Sequence, residues 1–272
     1  MLRELSFSKY QGAGNDFVIL DSEVERPAEL AKKLCDRHFG IGADGLIVVE
    51  PSNSADAKMS YFNADGSEAL CGNGIRCVSR FLVDRGRCSG DSLSLETLVG
   101  SKQVRILDGG TRFEVNMGPA EFQGNKIPTN ESGEHLDAVL EFEGKSVQFS
   151  AVSMGNPHCV IFSSDRNLWD LAPKIEVHPF FPERVNVEFV DVISPTEVSI
   201  RIWERGVGET LACGTGNCAV VAAGVKTGRL ERQVKVTSAG GEFKIVVSES
   251  DDAVYLQGPA ELVFRGSTSL DY

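Results

Sequence analysis

Short runs of β-branched and aromatic residues, several alternating apolar with polar, recur along the chain at Leu46 to Val49, Arg112 to Asn116, Glu197 to Trp203 and Lys244 to Val247. This pattern predicts strands. Two stretches switch to helical spacing: Ile75, Val78 and Leu82 in the first half, and Cys218, Val221, Ala222 and Val225 in the second. Gly86 and Gly228 stand where such helices should stop. The second helix, Ala219-Val220-Val221-Ala222-Ala223-Gly224-Val225, is apolar almost all round. A helix of that kind must be covered on every side, and a sheet wrapped around it supplies the cover. The Gly/Asn/Ser-rich stretch from Gly124 to Glu134 reads as a linker, and the tail beyond Glu261 is expected to return to the first half.

The chain also repeats itself. Gly14-Asn15-Asp16-Phe17-Val18-Ile19-Leu20 recurs loosely as Gly155-Asn156-Pro157-His158-Cys159-Val160-Ile161, 141 positions on. Glu68-Ala69-Leu70-Cys71-Gly72-Asn73-Gly74 is echoed by Glu209-Thr210-Leu211-Ala212-Cys213-Gly214-Thr215-Gly216, with the cysteines 142 apart. Thr97-Leu98-Val99-Gly100 and Thr237-Ser238-Ala239-Gly240 are 140 apart, as are the identical segments beginning at Gly118 and Gly258, Gly-Pro-Ala-Glu. Matches in order at nearly one spacing identify two homologous halves facing each other. Two domains are therefore expected, with a sheet wrapped around the apolar helix. The expected boundaries are 1–117, with 262–272 returning to it, and 118–261.

Composition narrows the function. The chain has 272 residues, of which 42% are hydrophobic, enough for a sizeable core. Its 27 basic and 39 acidic residues give a net charge of −12, without a Lys/Arg cluster that could track a phosphate backbone, so nucleic acid is not an expected partner. No run approaches the roughly 20 apolar residues that span a bilayer, and the first ten residues lack an apolar core, so a cytoplasmic protein is expected. The seven cysteines include no C-x-x-C pair and read as reduced thiols. The four histidines, His38, His135, His158 and His178, match no zinc spacing, and no metal is expected.

The candidate chemistry lies in the two Cys-Gly-x-Gly turns, each opening a helix. Unpaired N–H groups and the positive end of the helix dipole attract a carboxylate there, and glycine lets it approach the backbone. The same field is expected to lower the pKa of a thiol in the turn. Used twice, the device holds a carboxylate between two helix ends with a thiol on either side of the neighbouring carbon. A thiolate on one face and a thiol on the other can then remove and return a proton with inversion. Cys35, Cys77, Cys88, Cys159 and Cys218 read instead as small hydrophobes. Gly214-Thr215-Gly216-Asn217-Cys218-Ala219 fits a dinucleotide fingerprint, yet it follows no apolar strand and is followed by no acidic residue at the expected distance. A Cys/His hydrolase built with His158 would leave the second cysteine unexplained.

These residues carry a resemblance to the diaminopimelate epimerase family from Phe7 to about Phe264. It rests on Gln11-Gly12-Ala13-Gly14-Asn15-Asp16-Phe17, Phe62-Asn63-Ala64-Asp65-Gly66-Ser67, Cys71-Gly72-Asn73-Gly74-Ile75-Arg76-Cys77, Met154-Gly155-Asn156-Pro157-His158 and Trp203-Glu204-Arg205-Gly206-Val207-Gly208-Glu209-Thr210. The resemblance implies an α+β fold of two pseudo-symmetric domains, each a mostly antiparallel β-sheet or barrel wrapped around a central helix, and a homodimer without pyridoxal phosphate or metal, with diaminopimelate held in a cleft between the two domains. Its LL and meso forms would be interconverted for lysine and peptidoglycan synthesis. It implies that Cys71 and Cys213 are the acid and base, and that Gly72, Asn73, Gly214 and Thr215 bind the reacting carboxylate. Asn15, Asn63, Asn156, Asn186, Glu204 and Arg205 would recognise the distal end of the substrate, and His158 and Glu204 would tune the thiols. Gly45 departs from members of the family that carry glutamine at its position, which puts at issue a side-chain contact to the substrate or across the cleft. The nearest alternative is a two-cysteine racemase of histidine or proline, and Asn73, where proline racemases tend to place histidine, argues against the latter. Isomerases of the phenazine-biosynthesis type share the duplicated fold but lack the facing thiols.

Overall fold

Strands dominate the fold because the β-branched runs lie on surfaces buried on at least one face. The structure is a computed structural model that describes residues 2–69, 71–88, 90–142 and 144–271. It divides into two compact units, one of Met1–Val115 with Gly258–Tyr272 and one of Asn116–Gln257.

The first unit begins with β1 (Leu2–Gly12) and β2 (Asn15–Leu20), then α1 (Pro27–Leu34), β3 (Gly45–Glu50), β4 (Ala57–Asn63) and β5 (Glu68–Ala69). It continues through α2 (Gly72–Asp84), β6 (Ser92–Thr97), β7 (Gly100–Leu107) and β8 (Arg112–Pro119), which passes into the second unit from Asn116. The second unit has β9 (Ala138–Phe142), β10 (Lys145–Ser153), β11 (Pro157–Phe162), α3 (Ala172–Glu176), β12 (Asn186–Ser194), β13 (Glu197–Glu204) and β14 (Gly208–Thr210). It is completed by α4 (Gly214–Lys226), β15 (Gln233–Ser238), β16 (Gly241–Val247) and β17 (Ala253–Pro259), while β18 (Glu261–Asp271) lies in the first unit.

The duplication is visible strand by strand. In the first unit β1–β2 is antiparallel, β2–β3 parallel, β3–β4 antiparallel, β4–β6 parallel, and β6–β7 and β7–β8 antiparallel. In the second, β10–β11, β11–β12, β12–β13, β13–β15, β15–β16 and β16–β17 follow the same alternation of directions. The returning strand β18 pairs with β1 as β9 pairs with β10. Gly258 and Pro259 also belong with the first unit, where the Pro259 carbonyl accepts from Arg76 Nε and the Ala260 N–H donates to the Thr111 carbonyl.

Each unit wraps its strands around one helix. The helix α2 packs on β1, β2, β4, β7 and β18, and buries Ile75, Cys77, Val78, Phe81 and Leu82. The all-round apolar character of α4 meets its expected burial, for ten of its residues, Gly214 and Gly216 through Gly224, are buried against surroundings that include β10, β11, β12 and β16. Gly86 and Gly228 follow the helix ends with φ of 65° and 72°, the left-handed conformation that reverses the chain at little cost to glycine. Among the described residues no helix is long and apolar enough to cross a membrane.

The stretch from Gly124 to Glu134, expected to be a linker, is instead a closed loop inside the second unit. The Gly124 N–H donates to the Gly133 carbonyl at 2.7 Å, Gln123 bridges to Glu134, and Thr129 N–H returns to the Gly124 carbonyl at 2.9 Å. Polar, turn-forming composition marks the loop equally well in either setting; its internal hydrogen bonds are long in sequence and leave no local periodicity.

Candidate active site

Both Cys-Gly-x-Gly turns start a helix with the cysteine itself as the N-cap. Cys71 caps α2 with φ −132° and ψ 115°, and its Sγ accepts from the Gly74 N–H at 3.5 Å. Cys213 caps α4 with φ −122° and ψ 114°, and its Sγ accepts from the Gly216 N–H at 3.4 Å. A helix start leaves its first N–H groups without intrahelical acceptors, so those of Gly72 and Asn73, and of Gly214 and Thr215, are donors placed beside a sulfur at the positive end of a dipole.

Around the first turn Asn15, Cys71 and Asn73 form one cluster. Asn15 Oδ1 accepts from Cys71 Sγ at 3.5 Å and from Asn73 Nδ2 at 3.2 Å, while Asn15 Nδ2 donates to Asp44 Oδ2 at 2.5 Å. Asn73 Oδ1 accepts at 2.9 Å from Arg76, whose guanidinium is fully buried. Behind Asn15, Arg37 joins Asp16 and Asp44, each at 2.8 Å, and Lys9 pairs with Asp16 at 2.8 Å. Burial pushes the Asp16 carboxyl up, but the hydrogen bonds and charges of Arg37 and Lys9 outweigh it and hold the group below its ordinary value.

Asn63 stands in a second cluster of the same unit. Its Oδ1 accepts from the Tyr61 hydroxyl at 2.7 Å and its Nδ2 donates to Ser67 Oγ at 3.0 Å. This cluster bears on Gly45, paired with Asn63 across β3 and β4, where a Cβ would lie 2.3 Å from the Tyr61 ring. The space a side chain at position 45 would need is filled by Tyr61.

Around the second turn the polar side chains form a longer chain. The Cys213 sulfur and Thr215 Oγ1 are 3.3 Å apart. His158, fully buried on β11, sets Nδ1 at 2.7 Å from Glu188 Oε1 and Nε2 at 3.0 Å from Asn156 Oδ1. Asn186 donates to the Pro157 carbonyl at 2.8 Å and accepts from the Arg205 N–H at 2.9 Å. Glu204 accepts from Thr210 Oγ1 at 2.6 Å. Arg205 is exposed and donates from its guanidinium to the Glu183 carbonyl at 3.1 Å.

The expectation that the helix field lowers the thiol pKa is overturned at Cys213. Burial pushes this thiol well above its ordinary value, and the Glu204 and Glu188 carboxylates push it further, against the opposing bonds from Thr215 and Gly216. The cause is that taking the thiolate out of water costs more than two hydrogen bonds at a helix end return. Glu204 is itself raised, first by burial and then by Glu188, despite the hydrogen bond from Thr210. Burial likewise raises Cys77 and Cys159 and pushes Cys35 up to about 12, as inert core thiols should behave.

Several of these neighbours escaped sequence reading. Glu188 had one signal, a charge inside the otherwise apolar run Val187 to Val190; Arg76 and Asp16 lay within motifs already quoted, but nothing local marked them as partners of Asn73 and Lys9. Tyr61 and Asp44 gave no signal at all. Among the described residues no group of His, Cys, Asp and Glu side chains is arranged to hold a metal ion.

The chain matches known proteins along most of its length. Residues 7–123 and 150–263 match the family described as diaminopimelate epimerase. The chain is 47% identical to the diaminopimelate epimerase of Desulfitobacterium hafniense, over 95% of this chain and 96% of that one. It is 44% identical to that of Acetivibrio thermocellus, over 98% and 99%. In fold it is similar to the crystal structure of a hydroxyproline epimerase from Agrobacterium vitis, with a TM-score of 0.72 at 18% identity, covering 99% of this chain and 94% of that one. A phenazine biosynthesis protein from Bacillus anthracis also has a TM-score of 0.72, at 15% identity, covering 99% and 100%.

Proposed function

Because the chain belongs to the diaminopimelate epimerase family, we propose that it interconverts LL- and meso-2,6-diaminopimelate by passing a proton through Cys71 and Cys213. The observation that carries this reading is the pair of helices capped in the same way by a cysteine, one in each of two units with the same strand order.

The substrate carboxylate next to the reacting carbon accepts from the N–H groups of Gly72, Asn73, Gly214 and Thr215. One sulfur, as thiolate, takes the α-proton, and the electron pair of the C–H bond passes into the carboxylate as an enediolate. The helix ends favour that charge because their dipoles are fixed before it develops. The other sulfur, as thiol, donates its proton to the opposite face of the carbon, which completes the inversion and leaves the two sulfurs with exchanged protonation. No electron leaves the substrate, so the step balances without a redox or group-carrying cofactor.

At the distal end, Arg205 takes the carboxylate and Glu204 the ammonium, with Asn15, Asn63, Asn156 and Asn186 setting orientation. His158 and Glu204 tune the thiols. The enzyme works in the cytoplasm as a homodimer, in the synthesis of lysine and peptidoglycan precursors.

The test is exchange in deuterium oxide. The protein is expected to incorporate deuterium at the α-carbon of diaminopimelate, and Cys71→Ala and Cys213→Ala are each expected to slow epimerisation by at least about 100-fold, the lower end for a lost acid or base. Epimerisation at the native rate in either variant defeats the two-thiol reading. Turnover of proline or histidine in preference to diaminopimelate defeats the substrate assignment.

A further inference from the structure

The repeat offset of 141 makes Phe17 the counterpart of His158 and Ile47 the counterpart of Glu188. Register agrees: Phe17 pairs with Gly45 and Ile19 with Ile47 across β2 and β3, while His158 pairs with Asn186 and Val160 with Glu188 across β11 and β12. The same seat beneath the two cysteine turns is therefore filled differently. A Cβ on Gly74 would meet Met59 Cε at 2.9 Å and Ile47 Cδ1 at 3.2 Å, but a Cβ on Gly216 would meet Glu188 Oε1 at 2.5 Å.

Glu188 is an expensive residue to place there. It is fully buried, one oxygen faces His158, and the other has no hydrogen-bond partner among the described residues. A buried carboxylate with an unpaired oxygen destabilises the fold. The first unit builds the same turn over Ile47 and Met59, so the architecture does not require the charge.

The charged groups around the two turns differ accordingly. Cys213 meets Glu188 from β12 and Glu204 from β13, with His158 from β11 held between Glu188 and Asn156, and receives the Gly216 N–H of α4 and the Thr215 contact. The Cys71 turn has Arg76 from α2 on Asn73, with Lys9 from β1 and Arg37 on Asp16 and Asp44 behind Asn15. Cations outnumber carboxylates in the first set, and carboxylates prevail in the second.

We infer that Glu188 is a positioning residue that assigns the proton: its buried carboxylate beneath Gly216 keeps Cys213 in the thiol form, so Cys213 enters the reaction as the acid, and Cys71, on giving up to solvent the proton it donates to Asn15 Oδ1, enters as the base. The inference rests on the two-thiol reading and deepens it. A bare sequence duplication would yield two equivalent thiols and no preferred starting state; one carboxylate at the position that matches Ile47 breaks that degeneracy. The resting enzyme then accepts first the epimer whose α-proton faces Cys71.

The experiment is alkylation by iodoacetamide as a function of pH, with Cys71 and Cys213 followed separately by peptide mass spectrometry. In the native protein the midpoint for Cys213 is expected above that for Cys71; a midpoint at or below it overturns the inference. Glu188→Gln keeps the shape and an acceptor for His158 but removes the charge, and is expected to lower the Cys213 midpoint by about one pH unit, about tenfold in thiolate fraction. The double variant His158→Phe with Glu188→Ile installs the first unit's own residues, guards against misfolding of the single variant, and is expected to give the same shift. An unmoved Cys213 midpoint in either folded variant overturns the inference, whereas loss of midpoint control at Cys71 alone shows the charge acting on the wrong sulfur and overturns it too. Retention of epimerisation by Cys213→Ala is a different failure, since it removes the two-thiol reading while leaving the alkylation result intact.

Discussion

The turns at Cys71 and Cys213 share backbone and differ in surroundings. Both cysteines cap thirteen-residue helices at nearly the same φ and ψ, and both sulfurs accept from the N–H three residues on. Beneath the first lie Ile47 and Met59; beneath the second lies Glu188. Beside the first, Asn73 joins Arg76 and Asn15; at the matching place beside the second stands Thr215, whose hydroxyl meets only the Cys213 sulfur among the contacts resolved there. A duplicated scaffold thus repeats the turn that holds each sulfur, while side chains drawn from neighbouring strands decide what surrounds it. Geometry is set by backbone hydrogen bonds, which any sequence with the right turns can make. Protonation is set by a few charges in a low-dielectric interior, where one substitution is enough to change it.

The comparison breaks most visibly at the matched pair Asn73 and Thr215. Asn73→Ala removes an acceptor from the fully buried Arg76 guanidinium and is expected to cost about 3 kcal/mol, against about 1 kcal/mol for Thr215→Ala, which removes one contact to a neutral thiol. Urea unfolding of the two variants measures the difference; equal losses would mean that Arg76 finds another acceptor.

Next in size is the matched pair of glycines. In Gly216→Ala the new methyl would press on a carboxylate held by His158, and about 2 kcal/mol of destabilisation is expected, within the range for overpacked sites. Gly74→Ala meets the flexible end of Met59 first and is expected to cost less than about 1 kcal/mol. Thermal unfolding checks the order, and a reversed order would deny Glu188 its fixed position.

The smallest effect is a slope. Because the Cys213 thiol is raised in the folded protein, the native state holds its proton when the unfolded chain would release it near pH 8.5, so the stability it contributes is present below about pH 8.5 and is lost as pH rises toward the folded value. Cys213→Ala is therefore expected to flatten the decline of stability above about pH 8.5 by about 1.4 kcal/mol per pH unit. An unchanged slope would place the Cys213 pKa near that of an ordinary thiol.

Much of the frame was legible in the chain. The strands around Leu46, Arg112, Glu197 and Lys244, the two helices and their glycine stops, and the all-buried nature of α4 follow from period and turn chemistry, which are local properties. The cysteine turns were legible because the same motif occurred twice. The loop at 124–134 misled because its composition suits a linker and a closed loop alike. The network around Asn15 was illegible because Asp44, Arg37 and Lys9 reach it from separate elements, and Tyr61 was missed because a tyrosine on a strand carries no mark of the glycine it covers.

The sequence by itself determined the duplication, the strand and helix content and the pair of thiols at helix starts, since each depends on residues within about a dozen positions of one another or on direct repetition. Only the tertiary structure decided that a carboxylate from β12 underlies Cys213 while an isoleucine from β3 occupies the same seat near Cys71. The physical reason is that the pKa of a buried group depends on which charges share its low-dielectric surroundings, and those neighbours are chosen by strand register across dozens of residues rather than by adjacency along the chain.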